Sequence, residues 1–309
     1  MVKKTFKWTG IGLLTLIVVV TIVTALRQNL KYDAPYPDIK ASSDPAVIVR
    51  GRELAYGPAH CVECHSAVNP DSLIKLGLDV PLTGGFKFVL PIGDVYSKNI
   101  TPDKETGIGN LTDAEIARTL RYNVFPNGNT VLDFMPFHNM SDEDLTAIIS
   151  FLRSQKPAHN KVPDRDYNIL GYVANAFLIK PVGPSEEVPK SVIRDSTAVY
   201  GKYLAMSIAN CEGCHSLRNL KTGAYIGPLF AGGGEMNGLI PPNLTTDSSS
   251  RIIIWSQQQF IQRFHTGKII PQSEMPWNCY KRMNDDELKA IYKFLKTVPA
   301  AKTVDVTSK

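Results

Sequence analysis

Cys61-Val62-Glu63-Cys64-His65 and Cys211-Glu212-Gly213-Cys214-His215 are two copies of one pattern, Cys-x-x-Cys-His, and a serine follows each copy. Two residues between the cysteines let one helical turn carry both sulfurs on one side, with the imidazole next to them. This is the run that attaches a c-type haem. The thiols add across two porphyrin vinyl groups, and the histidine becomes the proximal iron ligand. A thioredoxin-like redox pair would sit once, in a βαβ pattern that this chain lacks, and a shared zinc site wants its pairs roughly 15–20 residues apart. The expectation is two covalently bound haem c groups, held by Cys61, Cys64 and His65 and by Cys211, Cys214 and His215.

Working outward, each motif is embedded in a longer repeat. Upstream, Gly51-Arg52-Glu53-Leu54-Ala55 matches Gly201-Lys202-Tyr203-Leu204-Ala205. Downstream, Pro81-Leu82-Thr83-Gly84-Gly85 matches Pro228-Leu229-Phe230-Ala231-Gly232-Gly233 with one residue inserted. Asn99-Ile100-Thr101-Pro102-Asp103 matches Asn243-Leu244-Thr245-Thr246-Asp247, and Phe134-Met135-Pro136-Phe137 matches Glu274-Met275-Pro276-Trp277. Met140-Ser141-Asp142-Glu143-Asp144-Leu145 matches Met283-Asn284-Asp285-Asp286-Glu287-Leu288. Two repeats are too few for a solenoid, so the order reads as two tandem domains, 45–156 and 191–300, joined by a Pro-rich linker, 157–190. Within the linker, the apolar run from Ile169 to Ile179 is either one short packed helix or a strap across both domains.

Helix signals stand at both ends of each unit. Asp44-Pro45 is an N-cap followed by proline at the first turn, opening a helix to about Tyr56; its counterpart begins near Asp195 or Ser196. Thr112 with Glu115 forms a capping box for a middle helix. Closing helices start at Ser141 and Asn284, with Leu145, Ile148, Ile149 and Leu152, and Leu288, Ile291 and Leu295, at helical spacing. The Gly- and Pro-rich loops between show little strand pattern. The fold class expected is all-α and loop-rich.

A sixth iron ligand comes from Met135 and Met275. They occupy equivalent positions, and the proline after each biases the methionine toward an extended conformation suited to a ligand-presenting loop. Met/His ligation raises the reduction potential. Met140 and Met283 also match, but they open closing helices, where core packing is the more natural role. Pro81 and Pro228 either offer a carbonyl to the proximal His Nδ1–H or form rigid turns. Asn99 and Asn243 either bind haem propionates or form turns. His60, whose counterpart is Asn210, and His138, His159 and His265, which lack a histidine partner in the repeat, read as surface or hydrogen-bonded residues. Cys279 is left over as a partly buried thiol, with an intermolecular bridge still open.

The N-terminus carries Lys3, Lys4 and Lys7 before an uncharged stretch from Trp8 to Leu26. That is the length of a membrane-spanning helix, and basic residues before it favour a cytoplasmic N-terminus. A cleaved signal peptide is the competing reading, with Val23-Thr24-Ala25 as a weak cleavage site. Either way the rest of the chain is exported, to the periplasmic side of a bacterial inner membrane. Residues 1–30 are assigned to the anchor. The formal charge of +5 is mild and unclustered, which argues against a nucleic-acid partner.

Over nearly all of 45–300 the sequence resembles the mono- and dihaem class I cytochrome c family. The stretch from Asn99-Ile100-Thr101-Pro102-Asp103 to Gly107-Ile108-Gly109 is similar to one in cytochrome c subunits of membrane-bound alcohol, aldehyde and sugar-acid dehydrogenases. The resemblance implies compact helical domains around each haem, with His65/Met135 and His215/Met275 as axial pairs. It implies an electron-transfer protein rather than an enzyme. Its partners would be a dehydrogenase or quinol-oxidising donor and an oxidase or soluble cytochrome acceptor. A dihaem peroxidase would need one iron with an openable distal site, against which a methionine at both irons argues; a haem sensor would need an output module.

Overall fold

In the computed structural model, residues 2–66, 73, 76, 79–219 and 223–303 are described. The first helix, α1 (Val2–Arg27), contains the span Trp8–Arg27, whose 20 residues have a mean hydropathy of 2.4 and are long and apolar enough to cross a membrane. The chain that follows is stitched to the body. The Arg118 guanidinium donates to the carbonyls of Tyr32 and Ala34. The amides of Ala41 and Ser42 donate to Asp113 and Ser150, both at 2.8 Å.

The helix signals form as the sequence anticipates. α2 (Pro45–Tyr56) is capped by the Asp44 carboxylate on Ala46 N–H. α3 (Cys61–His65) is the first motif. α4 (Asp113–Tyr122) starts from the Thr112–Glu115 capping box, and α5 (Asp142–Ser154) from Ser141. In the second half, α7 (Ala198–Tyr203) is capped by Thr197, just past the expected Asp195 or Ser196, and runs into a π-helical turn, Leu204–Ile208. α8 (Cys211–His215) is the second motif. Unanticipated helices follow: a short α9 (Arg251–Ile254), and α10 (Gln257–Thr266), which Ser256 and Gln259 open with another capping box. α11 (Trp277–Tyr280) precedes α12 (Asp285–Leu295), capped by Asn284.

The core of each half is one helix pair, α2 on α5 and α7 on α12. Repeat-equivalent glycines let both pairs cross closely: a Cβ on Gly51 would overlap the Ala147 carbonyl, and one on Gly201 the Ala290 carbonyl. Leu54, Leu145 and Ile148 fill the first interface, and Leu204, Leu288 and Ile291 the second, all at most 2% exposed.

The expectation of an all-α chain needs correction. Among the described residues there is a small antiparallel sheet, β1 (Lys87–Leu90), β2 (Gly93–Tyr96) and β3 (Asp166–Tyr167). Its strands are two to four residues long, too short for a two-residue alternation to stand out. Tertiary contacts supply what the pattern lacks: Phe88 stacks on Phe134 at 4.6 Å, and β3 arrives from the linker. The linker helix α6 (Ile169–Phe177) is no strap across the halves. It packs on α1 and β3.

The halves meet through a buried polar cluster. The Arg50 guanidinium donates to Asp144 (3.1 Å), Glu287 (3.0 Å) and the Tyr200 hydroxyl (3.2 Å). Burial alone would lower its pKa, but Asp144, Tyr200 and Glu287 outweigh that and raise it. Beside it, Tyr203 donates to Asp144 at 2.8 Å. Further along the boundary, the His60 and Tyr280 rings meet edge-on at 5.8 Å, and Cys279 Sγ donates to Glu63 at 3.3 Å. Cys279 is fully buried rather than partly so.

Candidate functional site

Both Cys-x-x-Cys-His runs fold as a single helical turn entered from a left-handed residue, His60 (φ 39°) and Asn210 (φ 50°). A left-handed residue breaks the preceding segment sharply and starts a new helix at the first cysteine. Asn is among the residues that tolerate this conformation best. His60 holds it with its ring Nδ1 donating to Pro58 O at 3.0 Å and its face toward Tyr280. All four motif cysteines are free of disulfides, and none of the four is buried.

Each motif histidine is fixed from both ends. Its backbone carbonyl accepts from a glycine amide, Gly84 to His65 at 2.8 Å and Gly232 to His215 at 2.9 Å. Its Nδ1 bonds a carbonyl at 2.7 Å, Lys98 O for His65 and Pro242 O for His215. A carbonyl can only accept, so Nδ1 carries the proton and Nε2 keeps a lone pair. Burial holds both imidazoles below the ordinary histidine pKa, and the bond to the carbonyl offsets this only partly. Both therefore stay neutral at pH 7, which is the form that ligates a metal.

These carbonyls are not those of Pro81 and Pro228, so of the two readings open for those prolines the carbonyl offered to the imidazole is not the one that forms. Lys98 and Pro242 are equivalent positions, each just ahead of the Asn-x-Thr element. Because only the backbone oxygen is used, a lysine serves as well as a proline, and nothing in the side chains advertised the role. Asn99 and Asn243 are committed to holding this loop. In each, Oδ1 accepts from the amide and hydroxyl of the threonine two residues on, at 2.7–3.0 Å. Nδ2 donates to Ala158 O at 2.8 Å and to Ala301 O at 2.7 Å, beyond the closing helices. Of the two readings open from the sequence, the turn-forming one describes these bonds.

Met135 and Met275 are half-buried and pack against the core. Their carbonyls accept from the amide two residues on, Phe137 at 2.9 Å and Trp277 at 2.7 Å. Pro276, at φ −74° and ψ 60°, makes this an inverse γ-turn, a tight corner that turns the chain at the methionine. Met140 and Met283 are core residues, 0% and 2% exposed.

The other histidines are engaged elsewhere. His138 uses Nδ1 on Arg121 O and Nε2 on Asp133, both at 2.9 Å. His265 bonds Asp285 at 2.8 Å, and His159 lies exposed near Asp103 and Glu105. Among the described residues no three His, Cys, Asp or Glu side chains converge as a bare metal ion would need. A pair of free, incompletely buried cysteines beside a neutral imidazole whose Nε2 has no hydrogen-bond partner among the described residues fits haem c.

Known proteins point the same way. Residues 198–299 match the family model of cytochrome c. The chain is 31% identical over 287 residues to the cytochrome c subunit of a quinone alcohol dehydrogenase from Gluconobacter oxydans (strain 621H), covering 84% of this chain and 56% of that one. It is 26% identical to the fructose dehydrogenase cytochrome subunit of Gluconobacter japonicus, over 91% of this chain and 58% of the relative. A dihaem c-type cytochrome of Cereibacter sphaeroides is 25% identical over 267 residues, covering 80% of this chain and 85% of its own. The chain thus spans a little over half the length of the dehydrogenase subunits that it matches. Residues 198–299 are a cytochrome c domain, in a chain related along most of its length to cytochrome subunits of dehydrogenases and to a dihaem c-type cytochrome.

Proposed function

We propose that this protein is a membrane-anchored dihaem cytochrome c that passes electrons, with one haem in each of two tandem domains, 45–156 and 191–300. The observation that carries the proposal is the duplicated hold on the motif histidines, a 2.7 Å bond from Nδ1 to a loop carbonyl at both His65 and His215. Cys61 and Cys64 would hold one haem by thioether bonds and Cys211 and Cys214 the other. His65 with Met135, and His215 with Met275, would be the axial ligands. The haem iron supplies the redox chemistry, taking up and giving back one electron at a time. The chain's residues keep the imidazoles neutral and aimed and hold the two halves in one fixed arrangement.

The likeness to dehydrogenase cytochrome subunits supports a dehydrogenase as electron donor, with an oxidase or soluble cytochrome downstream. Lys3, Lys4 and Lys7 ahead of the apolar span support a cytoplasmic N-terminus and haem domains on the periplasmic side. None of the named relatives is a peroxidase, the alternative enzymatic reading.

The test is an absorption spectrum, oxidised and reduced, of the chain produced with c-type haem maturation, with haem quantified per chain. Two haems per chain, each with the ferric Met–iron charge-transfer band and no binding of carbon monoxide, are expected. One haem per chain would overturn the two-domain proposal, and a five-coordinate haem that binds carbon monoxide or peroxide would replace the carrier with an enzyme.

A further inference from the structure

The linker helix α6 is built inside out for a helix on a water-soluble body. Its buried positions are Gly171, Ala174, Asn175 and Ala176, small or polar residues. Its large apolar side chains face outward: Ile169 is 85% exposed, Leu170 57%, and Leu178 just past its end 64%, with Tyr172 and Phe177 also exposed. A surface helix normally turns its apolar stripe to the core and its charges to water, yet α6 contains no charged residue. The tip of the β1–β2 hairpin continues the same character with Val89-Leu90-Pro91-Ile92, Val89 being 75% exposed. Asn168 ties tip to helix, its side chain donating to Pro91 O at 2.9 Å and its amide to Ile92 O at 3.2 Å.

The position of α6 says what covers this face. The helix packs against the end of α1. Arg27 Nε donates to Ala176 O at 3.1 Å, and its guanidinium lies over the Phe177 ring at 5.5 Å. Asn175 Nδ2 donates to Gln28 O at 2.6 Å. The span Trp8–Arg27 has 20 residues, and at about 1.5 Å per residue this is about 30 Å, the thickness of a bilayer's hydrocarbon core. Arg27 then stands at the boundary between hydrocarbon and headgroups, and α6, bonded to Arg27 and Gln28, lies at that level. A helix in this place, with its apolar face outward, has the build of a segment lying in the interface plane, its side chains dipping about 5–10 Å into the headgroup and acyl boundary.

We propose that α6 and the β1–β2 tip form a membrane seat: Ile169, Leu170, Phe177, Leu178 and Val89 insert into the phospholipid interface beside α1. The seat rests on α1 being retained as an anchor. It gives the first half a second attachment to the bilayer, so that the body cannot swing freely about α1. An electron donor in the same membrane would then meet one face of the protein.

The experiment places a nitroxide at Leu170→Cys, and separately at Leu178→Cys, in the full chain reconstituted into phosphatidylcholine–phosphatidylglycerol vesicles with the haems reduced. Ile193→Cys, at a position 82% exposed and before α7, is the control. The seat predicts that dissolved oxygen relaxes the labels at 170 and 178 several-fold more than a water-soluble nickel chelate does, and that the order reverses at 193. Alkaline carbonate extraction of the same vesicles separates two failures. Retention of the chain with labels 170 and 178 open to the chelate overturns the seat alone, whereas release of the chain overturns anchor and seat together. Labels shielded from both relaxants would mean that protein, a second copy of this chain, covers the face, and would also overturn the seat.

Discussion

Replacing Arg50 by methionine tests the polar cluster that joins the halves. The guanidinium is 10% exposed, and its carboxylate partners Asp144 and Glu287 are 1% and 8% exposed. Removing one partner of a buried ion pair costs about 3–5 kcal/mol, because the remaining charge is stranded in a poor solvent. Here two carboxylates would be stranded, but each keeps another donor. Asp144 retains the Tyr203 hydroxyl at 2.8 Å, and Glu287 retains the Asn284 amide at 3.2 Å. Those bonds place the expected loss near the bottom of the range, about 3 kcal/mol. Urea unfolding of the detergent-solubilised chain, followed by far-ultraviolet circular dichroism and by Soret absorbance, measures it. Because Glu287 belongs to the opposite half, the two halves should also begin to unfold in separate steps. Replacing Arg50, Asp144 and Glu287 together by methionine, leucine and methionine should recover the loss, since a well-packed apolar substitute for a buried ion cluster is neutral or stabilising by about 1–4 kcal/mol. A single Arg50→Met variant that loses less than about 1 kcal/mol, as an exposed pair would, refutes the reasoning.

Three other perturbations probe the site and its frame. Met135→Ala or Met275→Ala should leave the corresponding haem attached through its cysteines but lower that haem's reduction potential, read by spectroelectrochemical titration; an unchanged potential and spectrum would remove the methionine from the ligand set. Gly201→Ala should destabilise the chain by about 1–3 kcal/mol in urea unfolding, because the added Cβ overlaps the Ala290 carbonyl and overpacking exceeds the gain in helix propensity. Burial pushes the Asp133 carboxyl pKa up, but His138 and Asn123 outweigh that and hold it below the usual carboxylate value. A depressed folded pKa contributes stability that is present above the unfolded value, about 3.9, and lost as pH falls through the folded one. Asp133→Asn should therefore flatten this part of the acid limb of a stability–pH profile measured by denaturant titration.

How legible the chain was depended on whether a feature is written in side chains or in backbone. The helix starts at Asp44, Thr112, Ser141 and Asn284 were readable because caps are side-chain chemistry with fixed offsets. The two Cys-x-x-Cys-His runs stand out in the same way, as side-chain types at fixed spacing, and each folds as one helical turn. The partner of each imidazole was not, because a backbone carbonyl has no residue type: Lys98 and Pro242 share a position in the repeat and nothing else. The signal that could have found it was the Asn-x-Thr repeat itself, two residues whose mutual bonds set the loop just after that carbonyl. The hairpin was missed because four-residue strands stabilised by Phe134 and by a strand from the linker owe their form to distant contacts. Ser256 and Gln259 spelled a capping box as plain as that of Thr112, and α10 could have been anticipated from it.

The boundary between the halves shows how a duplicated chain avoids a conflict that exact duplication would create. Arg50 and Tyr200 are equivalent positions, one residue before the glycine of each helix crossing, and they touch one another at 3.2 Å. Asp144 and Glu287 are equivalent too, and both bond Arg50. Contact between equivalent residues is the mark of an isologous interface, in which the same patch meets itself about a local twofold. With arginine at both central positions two guanidinium groups would face each other, and with tyrosine at both the two acids would have no cation. One arginine and one tyrosine give both carboxylates a charged donor, and the phenol, its pKa pushed up to about 12 by burial, stays neutral beside them. The asymmetry ties each half to the other through a residue that its counterpart cannot replace. Exchanging the two, Arg50→Tyr with Tyr200→Arg, should therefore restore most of the stability that either change alone removes; additivity of the two losses in urea unfolding would show that the cluster is not arranged about a twofold.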